Sequence, residues 1–303
     1  MPNSSPALLF GRFGTNGFPR YASLKTYTAI WALGILTPLL CILAVSFVKT
    51  RGINILFEPT LNAYRDLFLY SGAPVITRTL RICATVTVIE FLLAFPFALW
   101  LAKSLKNNFW KSLTFVAMMV PFFLSPAARI FVWRSVLSTE GLINGLLIEQ
   151  GLIAEPLNWL LFSEFSVHFG LVVSYFPSMV WPLFLSISLI DDDYIEASGD
   201  LGASDFQTLR NVILPLAMPG ILAGFIFTFV PMLGDTVVPS MLGGNNSLML
   251  SPAIANLISS LNYTVAAAMA MLVLVAMFLM QGVFVLSLRP LGGIRRVFDG
   301  LKR

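Results

Sequence analysis

Apolar residues in this chain come in long blocks, and the blocks have the length of helices that cross a membrane. A bilayer-spanning helix needs about 20 mostly apolar residues. Residues 26–48 are 23 uncharged residues between Lys25 and Lys49. Residues 82–102 form a second run broken only by Glu90, and 112–133 a third broken only by Arg129. Runs four and five are 165–190 and 211–234. The stretch 236–288 holds 53 uncharged residues, too many for one crossing. Its first half, TVVPSMLGGNNSLMLSPAIANLISSLN, is rich in Gly, Pro, Asn and Ser and predicts a loop or re-entrant segment, which leaves 263–288 as the sixth span. The pattern predicts an all-α polytopic membrane protein of six helices.

Between the runs, 135–164 contains four glutamates and reads as an amphipathic short helix at a membrane interface, with Trp159 and its apolar neighbours facing inward. Packing over the bundle and an outer gate or docking surface both fit it. Prolines 38, 96, 121, 126, 177, 182 and 231 lie within the runs. Each removes a backbone hydrogen bond and kinks its helix, which favours a bundle shaped around a cavity. The N-terminal stretch has an apolar part of only four residues followed by Gly, Asn, Pro and two arginines, so it predicts a surface tail and a retained first span.

Composition supports the membrane reading. Of 303 residues 57% are hydrophobic and 11% charged, against about 25% charged in a soluble domain. The net charge of +4, from 19 Lys and Arg against 15 Asp and Glu, is scattered and lacks the basic stripe of a nucleic-acid binder. Cys41 and Cys83 lie in apolar runs and His168 is the one histidine, so metal or haem chemistry has little to use. The basic residues instead encode sidedness. One side of a six-helix path collects twelve Lys and Arg, from the tail 1–25, the connection after span two, the 191–210 segment and the tail 289–303. The other side collects six. The excess predicts a multi-pass plasma-membrane protein with both termini in the cytoplasm.

Charges at membrane depth need an explanation. Glu90, mid-span, should be paired, protonated or facing a wet cavity. Arg129 can snorkel to the interface. Asp235 closes span five and either caps the segment that follows or attracts a cation. Glu90 and Asp235 are the candidates for a translocation path.

The polar segment between spans four and five, LIDDDYIEASGDLGASDFQTLRNVILPL, has its own organisation. The acids at 191–193 predict a helix starting near Asp192 or Asp193. Gly199 and Gly202 should stop it, with Gly202 giving the turn where a Cβ would crowd. Ser204 and Gln207 have capping-box spacing for a second helix, whose apolar face is Leu209, Val212 and Ile213. Pro215 and Pro219 bend the chain into span five. Two short helices joined at a glycine make either a docking knob or a solvated linker.

Glu196-Ala197, Gly202-Ala203 and Val212-Ile213-Leu214-Pro215 resemble the EAA loop of binding-protein-dependent ABC importer permeases. Ser198 stands where many members have a second alanine. Leu201-Gly202-Ala203, Leu233-Gly234-Asp235, Val238-Pro239, Leu242-Gly243-Gly244 and GLINGLL at 141–147 are similar to spermidine/putrescine-type permeases. The resemblance implies a type I ABC importer permease fold over 26–288, with a coupling loop at 191–215. It implies ATPase-coupling roles for Asp193, Glu196, Ala197, Ser198, Leu201, Gly202 and Ala203. The implied partners are two cytoplasmic ATPases that bind ATP and Mg, a second and different permease chain, and an external binding protein. This chain has no GxxxxGK[ST] loop, so it is expected to hydrolyse nothing and to bind no cofactor itself. Polyamines are the implied cargo, with other organic cations, amino-acid or sugar-amine conjugates and oxyanions as alternatives. A secondary transporter, a non-transporting scaffold and a membrane enzyme fit less well: paired repeats, a coupling-ion site and clustered catalytic groups are not evident.

Overall fold

The structure, a computed structural model, describes residues 20–51, 54–69, 72–244 and 247–287. The two tails therefore lie almost wholly outside the described residues. Helix α1 (Arg20–Ser46) leads into an antiparallel hairpin of β1 (Val48–Arg51) and β2 (Asn54–Pro59), then α2 (Asn62–Leu69). Helix α3 (Gly72–Leu99) starts ten residues before the apolar run. Arg78 and Arg81 do not end it, because Glu164 sits opposite: Arg81 Nη2 donates to both its oxygens, at 2.6 and 2.7 Å, and Arg78 Nε lies 3.7 Å away. At its far end α3 widens into a π turn, Trp100–Ser104, where the Leu105 amide bonds the Trp100 carbonyl.

The third run is two helices, α4 (Asn108–Phe123) and α5 (Pro126–Leu137), rather than one continuous helix. Proline disfavours the helical region for the residue before it, and at Ser125 the backbone leaves that region (φ −56°, ψ 130°). The chain turns by 99° at that point. Helix α6 (Leu142–Glu149) follows. Buried Asn144 stitches its loop together, donating to the Ser138 carbonyl (3.1 Å) and accepting from the Leu157 amide (2.8 Å). Trp159, expected inside, is 54% exposed and meets Phe165 edge-on, while Leu160 and Leu161 turn inward.

Helix α7 (Glu164–Ser188) opens with a reciprocal capping box between Ser163 and Ser166. Short helices α8 (Asp192–Asp200), α9 (Asp205–Thr208) and α10 (Leu214–Leu216) precede α11 (Met218–Leu233), with a 67° bend before α11. The Gly- and Pro-rich stretch after it is largely helical, as α12 (Val237–Leu242) and α13 (Leu250–Ser259), before α14 (Tyr263–Ser287). Among the described residues four helices are long and apolar enough to cross a membrane, or six spans if each bent pair counts as one. The side chains of α1 are mostly exposed, as suits a lipid-facing helix that packs on α14.

Helices α3, α7 and α11 form the centre. One buried layer holds Ile82, Val86, Leu171, Phe229 and Met232; a second holds Ala94, Ala98, Leu183, Ile187 and Met218. A third cluster joins α2, α13 and α14 around Leu67, Leu250 and Met269. Helices α7 and α11 nearly touch because Gly220 and Gly224 face α7. A Cβ on Gly220 would stand 2.5 Å from the Pro182 carbonyl oxygen, and one on Gly224 2.9 Å from Met179 Sδ. Overpacking of this kind costs about 1–3 kcal/mol. Gly220→Val is therefore expected to lower the thermal midpoint in detergent, whereas Gly145→Ala, whose Cβ meets nothing within 4 Å, should not. An unchanged midpoint for Gly220→Val would contradict the packing.

A candidate coupling element and a separate polar pocket

The 191–213 segment folds on itself. Asp191 caps α8 by accepting from the Asp193 amide, and the acids of the first turn suit the positive end of the helix. At the other end the Gly202 amide bonds the Gly199 carbonyl (2.8 Å) and the Ala203 amide the Ser198 carbonyl (3.1 Å), a glycine-terminated helix end. Gly202 takes φ +80°, which disfavours any Cβ. The expected crowding is absent, since a Cβ there would meet nothing within 4 Å. Backbone conformation alone selects the glycine. Gly199, expected to stop the helix, lies within α8.

Ser204 and Gln207 form the capping box of α9: Ser204 N–H donates to Gln207 Oε1 (2.8 Å) and Gln207 N–H to Ser204 Oγ (3.4 Å). A second π turn, Leu209–Ile213, leads to α10. Ser198 and Thr208 share a hydroxyl hydrogen bond of 2.9 Å, which joins α8 to α9 and which an alanine at 198 would lack. Ile195 packs inward toward the layer that holds Ile187, Ile190 and Ile213. Asp193, Glu196, Ala197, Leu201 and Gly202 are exposed; Ser198 and Ala203 are partly covered. Leu201 is 88% exposed, and the exposed aromatics Tyr194 and Phe206 stand on the same element. Sequence reasoning passed over both rings; the signal was a large apolar side chain inside an otherwise polar stretch.

Asp235 follows α11. Its Oδ1 accepts from the Val237 and Val238 amides (2.7 and 3.1 Å), capping α12, and Oδ2 accepts from the Tyr175 hydroxyl (3.0 Å). It lines a cavity of about 220 Å³ with Arg129, Ser174 and Tyr175, at the break between α4 and α5. Arg129 is therefore a wall of this pocket rather than a side chain reaching for the interface. Its guanidinium donates to the Pro121 carbonyl (3.4 Å), while its Nε and Ser174 Oγ are buried with no partner among the described residues. No ion pair joins Arg129 to Asp235 among those residues. Phe122 and Ser178 also border a second, mostly apolar groove of about 830 Å³ that runs between α7 and α11 to Tyr194. Glu90 lines neither space. It is fully buried in α3, and its carboxylate meets no hydrogen-bond partner among the described residues. His168 is engaged locally, with the Glu164 carbonyl (2.6 Å) and Thr85 (3.0 Å).

Residues 71–289 match the family of binding-protein-dependent transport system inner membrane components. The chain belongs to this family. It is a multi-pass inner-membrane permease. It is 34% identical over 221 residues to the spermidine/putrescine transport system permease protein PotB of Haemophilus influenzae, covering 73% of this chain and 76% of that one. A shorter match, 38% over 79 residues, is to the permease protein PotC of the spermidine/putrescine transport system of Escherichia coli, over 26% of this chain and 30% of that one. The fold is shared with the crystal structure of a bacterial alginate ABC transporter in complex with an alginate pentasaccharide-bound periplasmic protein. That match has a TM-score of 0.64 and 17% identity over 86% of this chain and 90% of that one.

A left-handed backbone costs an L-residue about 1–2 kcal/mol, and Asn tolerates it best. In Gly202→Ala, hydrogen exchange at the amides of Leu201 to Ser204 should quicken about tenfold, and in Gly202→Asn by clearly less. Equal rates in wild type and Gly202→Ala would show that the glycine is not required for the turn.

Proposed function

We propose that this permease subunit belongs to an ATP-driven importer of polyamines or a closely related small organic cation, and that the α8–α9 element is where it takes up the work of separate ATP-hydrolysing subunits. The observation that carries the coupling role is the element itself: a capped, glycine-terminated helix pair with exposed Glu196, Ala197 and Leu201, resting on the central bundle through Ile195. Both ends of the element continue into the helices of that bundle, α7 and α11, so displacement of α8 is handed directly to them. Two ATPases carrying ATP and Mg, a second permease chain and a binding protein complete the assembly. Similarity both to PotB and, in part, to PotC supports a pair of unlike permeases. The lysine and arginine distribution supports cytoplasmic termini and a cytoplasmic α8.

Cargo preference rests on similarity to PotB and on the Asp235 carboxylate at the edge of a polar pocket. Its charge attracts an ammonium group most strongly where water is scarce. Arg129 in the same pocket favours a second reading, a solute that also carries an anionic or acceptor group, such as an amino-acid conjugate or an oxyanion. Glu90, without access to either space, is assigned to the path only if α3 rearranges during transport.

Two experiments in proteoliposomes holding the complete transporter test these readings. Gly202→Asp should insert and assemble yet lose stimulation of ATP hydrolysis by loaded binding protein; normal stimulation ends the coupling role. Asp235→Asn keeps an oxygen for capping α12 but removes the charge, so the KM for putrescine should rise about tenfold. An unchanged KM returns Asp235 to capping alone, and uptake of an amino acid or oxyanion in preference to putrescine selects the second reading.

A further inference from the structure

One lysine joins α3 to the start of α8. Lys103 lies in the π turn that closes α3, and its side chain is only 16% exposed. Its ammonium donates to the Ile190 carbonyl and to Asp192 Oδ1, each at 2.5 Å. The place calls for a cation. The Ile190 carbonyl, in the connection two residues past the end of α7, carries partial negative charge, and Asp192 in the first turn of α8 adds a full one. The aliphatic stem of Lys103 crosses the bundle end while the head reaches both groups. Lys111, in the first turn of α4, approaches the same π turn from the other side, donating to the Ala102 carbonyl (3.4 Å) and lying over the Phe184 ring of α7 (5.7 Å).

The contacts of α8 differ in kind. It continues by chain into α7 and, through α9, into α11. Ile195 gives it an apolar seat, and Ser198 a hydroxyl bond to α9. Helix α3 is far away in the chain, and the Lys103–Asp192 pair is its charged link to α8. A displacement of α8 therefore reaches α7 and α11 through covalent bonds, and reaches α3 through the apolar layer that Ile195 shares with Ala94 and Ala98 and through the charged contact of Lys103.

We infer that Lys103 is a positioning residue that makes α3 move as one body with α8, so that all three central helices answer when a partner displaces the coupling element. The inference rests on the coupling role proposed above for α8. Lys103 is sheltered although Asp192 is 71% exposed, and the contact holds through a small displacement because the lysine has two acceptors, one in the α7–α8 connection and one on α8, and can trade one for the other. This differs from a local stabilising pair in what it predicts: loss of the lysine should leave hydrolysis running but poorly converted into transport.

The test uses the full transporter in proteoliposomes, on a background with Cys41 and Cys83 replaced by Ser, and reads solute moved per ATP hydrolysed. Lys103→Met, which keeps the stem, should assemble, hydrolyse ATP at the basal rate and show a ratio about tenfold lower, within the range of ordinary coupling free energies. Lys103→Arg, which keeps the charge and the donors, should retain nearly all of the wild-type ratio. A wild-type ratio in Lys103→Met overturns the tether. If that variant fails to assemble, Lys103→Cys and Asp192→Cys joined by a short bismaleimide in the assembled transporter decide the matter. Two groups that move together tolerate the bridge and uptake continues, whereas loss of uptake on bridging shows that they must separate. Gly202→Asp run alongside keeps the two readings apart. If it uncouples while Lys103→Met does not, only the tether falls; if it stays coupled, the role of α8 falls with it.

Discussion

Close contact between α7 and α11 is the constraint on which the other features depend. In a bilayer, burial of apolar side chains gives little drive for helices to associate, because lipid is as apolar as leucine; small residues that let backbones approach supply dispersion contacts instead. Gly220 and Gly224 do this on α11, opposite Pro182 and Met179 of α7. The approach fixes the groove between the two helices, brings Tyr175 within reach of Asp235, and sets the spacing of the points from which the α8–α9 element hangs. Helix α7 also packs along α3, and α3 meets α11 directly, so the inner bundle is three helices in mutual contact.

Much of this was legible in the sequence where a single rule governed the outcome. Apolar run length located α1, α7 and α14 to within a few residues, and local capping chemistry placed α8 and α9, down to the reciprocal bonds of Ser204 and Gln207. Prediction failed where distant residues override local signals. Arg78 and Arg81 looked like the end of a span because Glu164, which neutralises them, is more than eighty residues away. Pro126 was counted as a kink; its effect on Ser125 is a full change of direction. The hairpin of β1 and β2 has no apolar run to announce it, and α12 and α13 are hidden by glycine, proline and asparagine that sit at their ends and first turns.

The candidate site divides in the same way. Exposure of Glu196, Ala197 and Leu201 follows from a polar local sequence, whereas the meeting of Arg129, Ser174, Tyr175 and Asp235 follows from the break between α4 and α5 and from the packing of α7. No spacing rule links residues on two separate helices and in the turn after a third. Their chemistry is also unlike that of a simple ion pair. Asp235 spends its acceptor capacity on two backbone amides and a phenol, while Arg129 leans on a carbonyl and keeps a buried donor open. Opposite charges thus share a cavity without neutralising one another, which keeps the interior polar and costs energy that the surrounding core must offset.

The closed hydrogen-bonding of the α8–α9 pair has a consequence for the docking role proposed for it. Each of its ends is satisfied from within, by Asp191, by the Gly202 turn and by the Ser204–Gln207 box, and Ser198 locks the two halves together. An element folded in this way before it docks would forfeit little conformational freedom on association. Recognition can then be weak, fast and frequently renewed, the regime suited to a contact that has to be loaded and relaxed on every turnover.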